Sequence, residues 1–181
     1  MSESLPKLLL HVCCGPCGTA VIERLARDYS VTAYWFNPNI QPAEEYALRL
    51  EAAMKVAAEF AVAMPREEGG EEGFATLAAG LEDLPEGGER CLRCYELRLR
   101  RAMQYAHENG FDHVACTLSI SPHKLAEQIN EIGTRLAGEF GLRFLAEDFK
   151  QQGGFSRSVE LSRALRIYRQ KYCGCLHSIP R

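Results

Sequence analysis

The sequence contains no run of about eighteen or more apolar residues, the length a helix needs to cross a bilayer. Its opening, MSESLPK, leads into only about six apolar residues, too few for the apolar region of a secretory signal. Both absences point to a soluble, cytoplasmic protein with no membrane partner. No GxxxxGK[ST] or GxGxxG stretch occurs, so neither common phosphate-cradling loop is present. A Cys-x3-Cys-x2-Cys spacing is also missing, which argues against radical use of S-adenosylmethionine. There is no internal repeat and no low-complexity tail. Nor is there an excess of positive charge: the net charge of −3 excludes a generally basic nucleic-acid coat. What remains is a chain of 181 residues, 46% apolar, enough for one domain with a real core.

Cysteine is plentiful. Of eight, Cys13, Cys14 and Cys17 form one group, Cys91 and Cys94 a second, and Cys173 and Cys175 a third. Cys116 stands alone in DHVACTLSI, where a small buried apolar residue is expected. In a reducing cytosol, clustered thiols serve metal binding or redox chemistry rather than a disulfide framework. The vicinal pair Cys13-Cys14 is poorly suited to bonding to itself, because the ring would be strained. It is arranged for something else to bind.

Charge is unevenly spread. Residues 66–89 carry eight acids against Arg66. Residues 90–101 carry five arginines against Glu96, and residues 156–181 carry five arginines and Lys171 against Glu160. Each basic segment contains a cysteine pair, so a polyanion could be met locally; solvated helix faces explain the charges equally well.

Strands alternate with helices along the chain. Strands are expected over 7–13, 30–38, 62–66, 111–119 and 142–149. Helices are expected over 15–29, 39–61, 91–109, 121–141 and 156–173. This order implies an α/β fold: a mainly parallel sheet with helices on both faces, three layers deep and Rossmann-like. The whole of 1–181 reads as one domain, with 66–89 as an acidic surface insertion and 155–181 as a C-terminal helix bearing Cys-Gly-Cys. In such sheets ligands bind beyond the carboxyl ends of the strands. Cys13 and Cys14 fall there, after the first strand.

Four cysteines from two segments can hold an iron–sulfur cluster. Cys91 and Cys94, at i and i+3, share one face of a helix, while Cys13 and Cys14 bracket a strand–helix turn. A four-cysteine zinc site is the competitor; it would use Cys14 and Cys17 as one hook and leave Cys13 superfluous. Spacing alone leaves both open. Cys173 and Cys175, separated by one glycine, could close a small strained disulfide of the kind that exchanges electrons, or could be unrelated thiols or further ligands.

Taken together, LLLHVCCGPC, FNPNIQPAEEYALRL, RCLRCYELRL, TLSISPHK and FSRSVELSRALRIYRQKYCGC resemble the QueH-type epoxyqueuosine reductases over nearly the whole chain. The resemblance implies a Rossmann-like fold related to the adenine-nucleotide hydrolases. It implies a 4Fe–4S enzyme of queuosine synthesis that acts on tRNA without cobalamin and draws on an external electron donor. By it, Cys13, Cys14, Cys91 and Cys94 are the cluster ligands, and Cys173 and Cys175 the redox-active pair. Cys17 stands where the family uses a further metal-binding side chain, which makes a second, mononuclear iron a hypothesis. His123 departs from the pattern, where an aromatic residue is expected.

Converting an epoxide into an alkene takes two electrons, two protons and loss of water. His11 and Asp148 fall at the active sheet edge as candidate proton donors; a hydrogen-bonded buried histidine and a helix cap are their structural alternatives. Tyr168 and Tyr172 could stack on a splayed base or fill core. Arg157, Arg169 and Lys171 are the candidates for phosphate contacts. Asn37 and Asn39 shape the loop after the second strand. Two functions of other classes stay open on these residues: a zinc-stabilised RNA-binding module and a thiol–disulfide oxidoreductase.

Overall fold

Residues 4–179 are described by a computed structural model. Strand β1 spans Lys7–His11, and helix α1 spans Gly15–Leu25. Next come β2 (Ser30–Tyr34), α2 (Ala43–Glu59), α3 (Glu71–Ala78) and α4 (Glu89–Glu108). The chain continues through β3 (His113–Cys116), α5 (Ala126–Phe140), β4 (Arg143–Phe144) and α6 (Gly154–Ala164). All strand pairs are parallel, in the order β2-β1-β3-β4.

The centre of the sheet is β1. Leu8, Leu9 and Leu10 are fully buried because alternate side chains enter opposite layers. Leu8 and Leu10 pack with Val21 and Ile22 of α1, Val56 of α2, and Phe149. Leu9 packs with Leu99 and Met103 of α4 and with Ile129 and Leu136 of α5. The result is the three-layer arrangement that the alternation of elements implied. At the start of α1, Gly15 is required by contact: a Cβ there would lie 2.7 Å from the Ala52 carbonyl carbon of α2.

Most expected elements come out shorter, and three depart furthest. The stretch 62–66 runs along the outer edge of β2, with Ala33 N–H bonded to Ala63 O at 2.9 Å and Trp35 N–H to Pro65 O at 3.1 Å. It forms only one bridge, Trp35 with Arg66. The final strand ends at Phe144, pairing with β3 only at His113 and Val114, after which Leu145 N–H makes a last bond to Val114 O at 2.9 Å. The C-terminal helix was expected to reach Cys173 but stops at Ala164, and Arg166 takes a left-handed φ of 51°. Residues 165–175 then cross the carboxyl edge of the sheet as irregular chain.

The acidic segment 66–89 does more than cover the surface. Phe74 and Ala78 of α3 are buried against Cys94 and Cys175. Its loop carbonyls at Leu81, Glu82 and Leu84 all accept from Nη1 of the buried Arg90, at 2.7–2.9 Å. No helix among the described residues is long and apolar enough to cross a membrane.

Candidate metal and redox site

The carboxyl ends of β1 and β3 diverge into a crevice, as they must where the strand order reverses. Cys14 caps α1: its Sγ accepts the Cys17 N–H at 3.4 Å, so the positive end of the helix faces this turn. Thr117, just past β3, secures Cys13 twice. Its Oγ1 accepts from Cys13 N–H at 3.1 Å and donates to Cys13 Sγ at 3.2 Å. The sulfurs of Cys13, Cys14 and Cys17 all lie within 4.8 Å of one another. Gln170, from the C-terminal segment, donates from Nε2 to Cys14 Sγ at 2.9 Å.

Three convergent thiols are a soft donor set suited to iron or zinc. A metal–sulfur bond of about 2.3 Å sets tetrahedral thiolates about 3.8 Å apart, so a trio this compact could close on one ion with small side-chain movements. Hydrogen bonds from Cys14 and Cys17, with the Arg98 charge and the Thr117 hydroxyl, hold the Cys13 thiol well below the ordinary range. Burial, helped by the bond to Cys13, pushes Cys14 up to about 12.

Cys91 and Cys94 occupy the opening turns of α4 and are buried. They lie outside the compact trio. What connects the groups is Arg98, one helical turn beyond Cys94 and itself 2% exposed. Its Nη2 donates to Asn37 Oδ1 at 2.6 Å, and Asn37 Nδ2 donates to Val12 O at 2.9 Å. Burial opposes the charge on Arg98, and the sulfurs of Cys94, Cys13 and Cys173 outweigh it. Burial pushes Cys94 up to about 12 and raises Cys91.

The crevice opens into a cavity of about 320 Å³. Cys13, Cys17, Arg98, Lys124, Cys173 and Tyr172 are among its walls. Arg49, 2% exposed, holds the Cys-Gly-Cys segment there through the carbonyls of Cys173, at 2.9 Å, and Tyr172, at 3.0 Å. Arg49 pairs with the buried Glu45 at 2.6 Å, and Glu45 also accepts the Tyr168 hydroxyl at 2.6 Å. The Tyr172 hydroxyl donates to Gln41 O. These anchors draw 165–175 away from helical geometry, overriding local propensity.

Several candidates take other roles. His11 does not line the cavity. It is fully buried, bonded through Nε2 to Phe36 O at 2.9 Å, and burial together with Arg98 lowers it to about 4, so it is neutral at physiological pH. Asp148 is absent from the cavity as well. It pairs with Lys150 at 2.9 Å and is held below the usual carboxylate range by bonds from Lys150 and Gln151, although burial opposes them. An ionised, paired carboxylate is a poor proton donor. Instead it steadies Lys150, whose Nζ donates to the carbonyls of Ser119 and Lys124, both at 3.3 Å. Tyr168 is an anchor. Arg157 is already engaged by Glu23 at 2.7 Å and Glu160 at 3.2 Å. Arg169 and Lys171 are exposed at the cavity wall, as phosphate contacts require.

The sequence reading missed Arg49, Thr117, Lys124 and Gln170. Lys124 sits in SPHK, just past the 3₁₀ turn that follows β3, at the edge where ligands bind, and that position was its available signal. For Arg49 only the local pair with Glu45 is visible, because the carbonyls that it grips lie 123 and 124 residues away.

The family model for epoxyqueuosine reductase QueH matches residues 8–181. The chain belongs to the QueH family. Among its relatives named epoxyqueuosine reductase QueH, that of Streptococcus pyogenes serotype M1 is 38% identical, over 96% of this chain and 70% of the relative. The Acinetobacter baylyi protein is 36% identical, over 99% of this chain and 83% of its own length. The Thermotoga maritima protein is 37% identical, over 95% and 90%. Membership in the QueH family spans the fold, the trio, both α4 cysteines and the C-terminal pair alike.

Proposed function

We propose that this protein reduces epoxyqueuosine to queuosine at the wobble position of tRNA, the last step of queuosine synthesis. The observation that carries the reading is the family match over 8–181, coinciding with thiols gathered at the ligand-binding edge of the sheet. We read the protein as cytoplasmic, since eight free thiols suit a reducing compartment.

Cys13, Cys14, Cys91 and Cys94 would hold a 4Fe–4S cluster, and Cys17 would serve a second iron beside it. The donor set fits: every side chain is a thiol, and burial excludes water from most of them. When bound, such a cluster delivers electrons singly. The chain's own residues supply the rest. Arg98 places a buried positive charge among the sulfurs and offsets the negative charge of the thiolates. Thr117 and Gln170 fix Cys13 and Cys14 by hydrogen bonds. The cavity of about 320 Å³ lies within the ordinary range for a small-molecule site, which suits one nucleoside turned out of the anticodon loop. Arg169 and Lys171 would meet its flanking phosphates. Cys173 and Cys175 would return two electrons after each turnover, drawn from an external donor.

The compact trio also supports a second reading, a zinc-stabilised RNA-binding module. Anaerobic purification followed by metal and sulfide analysis separates the two. Iron with acid-labile sulfide, together with conversion of epoxyqueuosine to queuosine in added tRNA, supports the reductase. Tightly held zinc with no conversion supports the module.

A further inference from the structure

We propose that Cys173 is the entry sulfur of the Cys173–Cys175 pair, that Cys175 is its resolving partner, and that Lys124 is the positioning residue that holds Cys173 for exchange. The inference rests on the redox reading of the pair given above. It goes further in assigning an order to the two sulfurs and a partner to the first.

The two cysteines stand in unlike surroundings. Cys173 is half-buried and lines the cavity. Cys175 is 5% exposed and packs against Phe74, Ala78 and Cys94. Thiol–disulfide exchange needs an incoming sulfur to approach along the S–S axis, so access decides which sulfur is struck. Only Cys173 faces open space.

Lys124 adds a charge at that sulfur. Its Nζ lies 3.3 Å from Cys173 Sγ and 3.4 Å from Glu86 Oε1, and its side chain is 8% exposed. A buried ammonium must be paired, and Glu86, 37% exposed, meets that need from the solvent side. The inner side is left to the sulfur. Both partners are held by their backbones: Arg49 grips the carbonyls of Tyr172 and Cys173, and Lys150 grips those of Ser119 and Lys124. Gly174, between the two cysteines, has φ of 130°, a conformation that favours glycine, and a Cβ there would lie 3.1 Å from Arg49 Nη1.

The exchange balances with a dithiol reductant. One thiolate of the reductant attacks Sγ of Cys173 in the oxidised pair. The bond to Cys175 breaks, and Cys175 leaves and takes up a proton. The second thiol of the reductant loses its proton and attacks the mixed disulfide. Cys173 then departs as a thiolate beside the Lys124 ammonium, which stabilises the leaving charge. The reductant ends as a disulfide and the pair as the Cys175 thiol and the Cys173 thiolate, two electrons having passed.

The test is pulsed labelling of the anaerobic, metal-loaded protein with iodoacetamide, read by peptide mass spectrometry. Cys173 should label about tenfold or more faster than Cys175, as an accessible sulfur beside an ammonium does against a buried one. Lys124→Met should slow Cys173 about fivefold or more, and Lys124→Arg, which keeps the charge, should recover most of that rate. A purely packing role for Lys124 would not track charge in this way. Equal labelling, or Cys175 first, overturns the order of the sulfurs. An unchanged Cys173 rate in Lys124→Met overturns the role of Lys124. If labelling follows the expected order while the unaltered protein leaves epoxyqueuosine in tRNA untouched, the sulfur assignment stands and the proposed function falls.

Discussion

Cys94 and Gly174 show how much one position can carry. Cys94 is buried between α4, α3 and Cys175, with its thiol pushed up to about 12 by burial, so a bound metal must displace its proton. We expect Cys94→Ser or Cys13→Ser to abolish iron binding under anaerobic reconstitution, measured as iron per chain; a full iron complement in either rejects the ligand assignment. At Gly174, a Cβ would lie 3.1 Å from Arg49 Nη1 and 3.2 Å from Asn39 Nδ2, on a backbone at φ 130°. Gly174→Ala should lower stability by about 1–3 kcal/mol, seen as a shifted urea midpoint. An unshifted midpoint would mean that the loop adapts. The cysteine groups were legible from spacing, because i, i+3 thiols and a vicinal pair leave few structural uses. The true surroundings of His11 and Asp148 were not. Whether an imidazole faces a cavity or a carbonyl depends on Phe36, and the charge of Asp148 depends on Lys150.

Among the elements, the C-terminal segment departs furthest from its sequence pattern. SRSVELSRALRIYRQKYC has helical character throughout, yet only its first part is helical. The rest is pulled across the site by Arg49, by Glu45, which holds Tyr168, and by the Gln41 carbonyl, which holds Tyr172. These partners come from α2 and its preceding loop, more than a hundred residues away, and no local pattern encodes such contacts. The parallel strands and their helices were legible because their apolar periodicity matches the buried faces of β1 and α4. We expect Arg49→Met to leave Glu45 buried without its cation, destabilising the protein on the order of 3–5 kcal/mol. Limited proteolysis should then cut preferentially within 165–179. The double variant Arg49→Met/Glu45→Gln should recover part of the loss. Proteolysis unchanged from the unaltered protein would show that other contacts suffice to hold the segment.

At the scale of the molecule, a modestly acidic protein must bind a polyanion through a local surface. Its overall charge is −3, but Arg169 and Lys171 stand exposed at the cavity wall. Phosphate contacts release counterions, so Arg169→Ala should weaken tRNA binding and reduce the slope of log affinity against log salt by about 0.7–0.9. A lower affinity with an unchanged slope would remove Arg169 from the phosphate contacts. The wider account joins three things at one sheet edge: thiols to hold iron, a cavity for one nucleoside, and a dithiol to restore electrons. Its most direct test is mass spectrometry of tRNA nucleosides from cells lacking this protein. The account expects epoxyqueuosine to accumulate in place of queuosine, with queuosine restored by the unaltered gene and not by one encoding Cys94→Ser. Normal queuosine in the deleted cells, with no other reductase to supply it, would contradict the account.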